Sequence, residues 1–119
     1  MYSSELLEHF EHPRNAGVVD EPDASVRTEN PACGDVLELT VKADAGRIEE
    51  IRFRARGCVA SMACASALTE LARGKSIEEA RRLTRAELLL ALGGLPPASE
   101  HASHLAMDAL RAVLDKLGK

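Results

Sequence analysis

Across 119 residues, 15 Lys plus Arg face 19 Asp plus Glu, so the formal net charge is −4. With one Tyr, two Phe and no Trp, the chain has neither the positive field nor the stacking surfaces of a general nucleic-acid binder. A hydrophobic content of 45% supports a core and argues against wholesale disorder, and the length suits one domain spanning 1–119.

The opening MYSSELLEHF has no basic region followed by an apolar stretch, and no apolar run approaches the roughly 20 residues of a bilayer span. The expectation is a cytoplasmic protein that does not engage membranes. Leu6, Leu7 and Phe10 fall at helical spacing over about Ser4–Phe10, and His12-Pro13 ends that segment. A loop follows from Asn15 to Asp23, and a weaker strand from Ala24 to Glu29. Between Val36 and Lys42 the residues alternate, with Leu37, Leu39 and Val41 on one face and Glu38, Thr40 and Lys42 on the other. Asp44-Ala45-Gly46 makes the turn into a returning strand, Ile48–Arg56. There Ile51, Phe53 and Ala55 share one face and Arg52, Arg54 and Arg56 the other, while Ile48 is out of phase, which points to a bulge or a frayed strand start near Glu49.

After Gly57-Cys58 the period becomes helical. The spacing predicts a helix over Val59–Arg73 stopped by Gly74, then two short helices opened by the capping boxes Ser76…Glu79 and Thr84…Glu87. The second of these ends at Gly93-Gly94. Leu95-Pro96-Pro97 reads as extended, and Ser99 as the cap of a last helix to about Leu117, with Leu105, Ala109, Ala112, Val113 and Leu117 inward. Strands followed by helices through short turns imply an α+β fold, a small antiparallel sheet with helices packed on one face and solvent on the other.

Three cysteines, Cys33, Cys58 and Cys64, with no CxxC pair, make neither a disulfide framework nor a zinc ribbon. Cys33 and Asp35 flank Gly34 in a tight turn and can aim at one point; equally, they fit a buried thiol and a turn former. A thiol at the strand–helix junction, where Cys58 lies, meets unpaired N–H groups and a partial positive charge, which favour the thiolate that metals need. Cys64 shares a helical stripe with Ala60, Ala67, Leu68 and Leu71 and reads as a core residue. The N-terminus of the last helix disfavours imidazolium, so His101 can stay neutral and ligate, whereas His104 suits the surface. His9 and His12 read as surface or packing residues. Converged by the fold, Cys33, Asp35, Cys58 and His101 would form a mixed sulfur, oxygen and nitrogen set acceptable to zinc or to an iron–sulfur cluster.

Over nearly its whole length the chain resembles the IscU/NifU-type scaffolds of iron–sulfur cluster assembly. The motifs are His9-Phe10-Glu11-His12-Pro13-Arg14-Asn15-Ala16-Gly17 with Tyr2 ahead of it, Pro31-Ala32-Cys33-Gly34-Asp35, Gly57-Cys58, and Leu95-Pro96-Pro97 followed by His101. The resemblance implies a SufE/NifU-like fold with a three-stranded antiparallel sheet. It also implies a scaffold or carrier rather than an enzyme, binding a labile [2Fe–2S] cluster or zinc through Cys33, Asp35, Cys58 and His101. A cysteine desulfurase would supply sulfur and iron–sulfur acceptor proteins would receive the cluster. Two positions depart from the family pattern. Ala102 stands where the family carries a third cysteine after the histidine, and Ala98-Ser99 replaces the hydrophobic residue and Lys of the stretch read by the dedicated chaperone.

Two other readings follow from the residues. Without the third thiol, the chain could be a zinc-binding or desulfurase-docking module that assembles nothing. A thiol enzyme with Cys33 or Cys58 as nucleophile and His101 as base is the weaker alternative, because no substrate-pocket signature is evident.

Overall fold

Leu37, Leu39 and Val41 fix the central strand, because alternation turns all three to one face and that face is buried. The computed structural model describes residues 2–30 and 34–118. Strands β1 (Ala24–Asn30), β2 (Asp35–Asp44) and β3 (Arg47–Arg56) form an antiparallel sheet in the order β1-β2-β3. Leu39 lies between Val26 and Phe53, and Val41 between Ala24 and Ile51, so the inward rows cross all three strands. The β2–β3 turn has positive φ at both central residues, Ala45 (53°) and Gly46 (78°), the mirror-image turn that matches strand twist. Beyond it the register shifts between Lys42 and Ala43, which pair with Glu50 and Ile48. Glu49 is therefore the extra residue of a bulge, which decides between the two readings that the phase of Ile48 leaves open.

Helix α1 (Ser4–Glu11) precedes the sheet; α2 (Val59–Ala72), α3 (Ile77–Arg81), α4 (Arg85–Ala91) and α5 (Glu100–Leu117) follow it. Most of α2 is buried, including Ala60, Ala63, Ala65, Ala67 and Leu68, because it lies among β3, α1 and α5. Small residues let these neighbours approach closely, while Leu39, Ile51, Leu68 and Leu110 fill the interior. Each fully buried aliphatic side chain contributes about 1.5–3 kcal/mol of transfer free energy. Both capping boxes form, Ser76 with Glu79 and Thr84 with Glu87.

Two details differ from the sequence reading. A 3₁₀ turn, Pro97–Ser99, leads into α5, and Ser99 stands at the cap position without a capping side-chain hydrogen bond. The proline-built turn already directs the chain into the helix. The outer sheet face is also only partly open. Arg54 donates twice to Glu38 on its exposed portion, a pair of the kind worth about 0–1 kcal/mol. Farther along, Val19 is buried apart from the main core, and its N–H donates to Thr40 Oγ1 at 2.9 Å. The segment before β1 thus folds over the middle of that face.

Helix α1 is fastened to α2 by His9, which is buried. Its Nδ1 lies 2.8 Å from Ser66 Oγ, and the Arg14 N–H donates to that same oxygen at 2.8 Å. Ser66 Oγ thus accepts from the Arg14 N–H while sharing a hydrogen bond with His9, whose Nε2 faces Glu70 at 3.5 Å. Burial holds the His9 pKa below its usual value; Arg14 acts in the same direction, against the opposing pull of Glu70 and Glu8. A histidine kept neutral by folding favours the fold fully above its unfolded pKa of about 6.5. That contribution fades as pH falls from there through the lower folded value, because the unfolded chain binds the proton first. In urea denaturation between pH 7.5 and 5.5, wild type is expected to lose more stability than His9→Gln. Parallel pH profiles would remove His9 as the cause.

Candidate metal centre

Three chain segments supply the site. Asp35 opens β2, Cys58 is the N-cap residue of α2, and His101 lies in the first turn of α5. Gly57 makes the meeting possible. Its φ of +138° suits glycine, and a Cβ there would stand 2.0 Å from Asp35 Oδ1. The carboxylate of Asp35 occupies the space that a side chain at 57 would need.

Asp35 is 1% exposed, and both its oxygens are engaged. The Cys58 N–H donates to Oδ1 at 3.1 Å. Oδ2 accepts from the Ser61 hydroxyl at 2.7 Å and faces His101 Nε2 at 3.0 Å. Burial alone pushes this carboxyl up, but Ser61, the Cys58 N–H and His101 outweigh it and hold it below the usual carboxylate value. Cys58 Sγ completes the cluster, 3.7 Å from Asp35 Oδ2 and 3.8 Å from His101 Nε2.

These three side chains are the group among the described residues whose ligand atoms converge, all within 4.8 Å of one another. Metal–ligand bonds of about 2.0–2.3 Å in a tetrahedron give ligand–ligand edges near 3.5 Å. The observed separations lie close to that value, so the donor set fits an ion such as Zn²⁺ or an iron of a cluster with little movement. Ligation through His101 Nε2 requires that nitrogen to stop donating to Asp35, so an arriving metal replaces hydrogen bonds already present.

Cys33, with Pro31 and Ala32, lies outside the described residues, between Asn30 and Asp35, which pair across β1 and β2. Cys64 is fully buried in the core, and burial, with Cys58 adding to it, pushes its thiol up to about 12. It takes no part in the site. His104 is exposed and His12 likewise, whereas His9 is the packing residue described above. Ala102 is buried and offers a methyl group at the position where the family pattern carries a third cysteine. Ser61 carries no motif of its own; the one sequence signal for it is its place three residues beyond Cys58, which puts both on one helical face.

The described residues contain no helix long and apolar enough to cross a membrane. The family model of the NifU-like N terminal domain matches residues 1–118. Iron-sulfur cluster assembly scaffold protein IscU 1 of Archaeoglobus fulgidus is 45% identical over 120 residues, covering 100% of this chain and 78% of that protein. The scaffold protein IscU of Escherichia coli K12 is 40% identical over 117 residues, covering 95% of this chain and 91% of its own. In fold, the N-terminal part of a NifU-like protein from Brucella abortus superposes with a TM-score of 0.78 at 18% identity, covering 98% of this chain and 93% of that one. A full-length match to the family model, with relatives at this identity and a sheet-and-helix frame of the same shape, places the chain in the NifU-like N-terminal domain family.

Proposed function

We propose that the protein is an iron–sulfur cluster assembly scaffold or carrier. Its cargo is a labile [2Fe–2S] cluster, or a zinc ion in the same place, held by Cys33, Asp35, Cys58 and His101. The single observation that carries this reading is the convergence of Asp35, Cys58 and His101 from three separate elements. With Cys33 included, two thiolates and a carboxylate carry three negative charges, one more than Zn²⁺ neutralises. The carboxylate is a harder ligand than a thiolate, and at a soft site it exchanges more readily, which suits a cargo that is to be given away. A cysteine desulfurase is the sulfur source in this reading, and iron–sulfur acceptor proteins receive the product.

Anaerobic reconstitution with iron and sulfide, followed by absorption spectroscopy and metal analysis, tests the proposal. A sulfide-to-iron charge-transfer spectrum, or one equivalent of zinc on the isolated protein, is expected. A colourless protein without stoichiometric metal would refute it. Ala102 favours a second reading, a zinc-binding or desulfurase-docking module that assembles no cluster. If cluster absorption develops only in Ala102→Cys, this second reading holds and the scaffold reading fails.

A further inference from the structure

Ser61 reaches two of the side chains a metal would meet here. Its Oγ lies 2.7 Å from Asp35 Oδ2 and 3.3 Å from Cys58 Sγ, and the side chain is buried. An ionised carboxylate only accepts, so the one hydroxyl proton goes to Asp35 while the metal is absent. The Ser61 lone pairs then face the Cys58 thiol. Coordination changes the sulfur side of this arrangement. A metal-bound sulfur has lost its proton and can only accept, so the hydroxyl then has acceptors on both sides. Oγ already sits beside both acceptors, so rotation of the hydroxyl hydrogen alone moves the bond from oxygen to sulfur.

We propose that Ser61 is a positioning residue of the metal site, holding Asp35 Oδ2 before loading and donating to the Cys58 thiolate afterwards. The inference rests on the reading of Asp35, Cys58 and His101 as ligands. It goes beyond that reading by assigning a switchable hydrogen bond to a residue that does not ligate. Hydrogen bonds to metal-bound ligands raise affinity and tune the electronics of the centre, and losing one typically costs 10–100-fold in binding.

The probe is Co²⁺, titrated anaerobically into the 119-residue chain, with affinity from chelator competition and the thiolate-to-cobalt charge-transfer band as the second readout. A hydrogen bond lowers the energy of the sulfur lone pair and so raises that transition energy. Ser61→Ala is expected to bind Co²⁺ roughly 10-fold more weakly, with the band displaced to longer wavelength. Ser61→Thr and Ser61→Val are near-isosteric and differ in the hydroxyl, so Thr should keep the wild-type band position and Val should show the same displacement as Ala, which separates the hydrogen bond from packing. Equal bands in the Thr and Val proteins, or a weaker affinity with an unmoved band, would overturn the assignment. A wild type with no charge-transfer band would instead overturn the metal reading and this inference with it.

Discussion

Gly57→Ala is expected to weaken the fold and empty the site together. The added Cβ would meet Asp35 Oδ1 at 2.0 Å, its Cγ at 2.8 Å and its Cα at 3.0 Å, at a φ of +138°. Rotating the carboxylate away relieves the first two contacts but not the third, which is to the backbone of β2. It also strips the Cys58 N–H, the Ser61 hydroxyl and His101 of their shared acceptor. Backbone strain of about 1–3 kcal/mol combines with a buried network left unsatisfied, so a loss of about 3 kcal/mol in urea denaturation is expected. Zinc affinity should fall more than about 10-fold in chelator competition, because Asp35 and Cys58 no longer face each other. A protein with wild-type stability would show that Asp35 does not occupy this space.

Cys58→Ala separates the chemistry from the frame. Alanine keeps the backbone N–H that holds Asp35 Oδ1, and the thiol is only half-buried, so no large cavity opens. Stability should stay within about 1 kcal/mol of wild type. Metal retention should collapse further than the 10–100-fold loss typical of an outer hydrogen-bonding partner, because a thiolate ligand itself is gone. Zinc content after gel filtration, read beside the denaturation midpoint, distinguishes the two variants. Undiminished zinc in Cys58→Ala would take this residue out of the ligand set.

What the sequence disclosed and what it hid have a common physical origin. Local features were readable: the alternation of β2, the phase error at Ile48 that marks the Glu49 bulge, and both capping boxes. Each is a pattern set by neighbours within a few residues. Asp35, Cys58 and His101 stood out as chemistry-bearing residues at element boundaries, but only the packing of β2, α2 and α5 brings them within bonding reach of one ion. Ser61 and Gly57 carry no chemical signal of their own; one matters through the oxygen it touches, the other through the space it leaves. The cover that Val19 places over Thr40 was hidden for a similar reason, because a loop's path across a sheet depends on contacts between distant residues. Ser99 shows the reverse case: a favourable cap residue was present, but the preceding 3₁₀ turn set the entry to α5.

A three-stranded ribbon has two rims, and each is a template on which another chain could extend the ladder. Here both carry an obstruction. Along β3, Phe53 donates to Asn15 O at 3.0 Å and accepts from the Gly17 N–H at 2.8 Å, so residues before β1 already use that stretch of rim. Along β1, the ammonium of Lys116 reaches across to Ser25 O at 2.7 Å and sets a cation where an incoming strand would lie. The same short N-terminal strap that turns over Thr40 therefore also works against fibre growth, and its removal would expose the molecule to self-templated polymerisation.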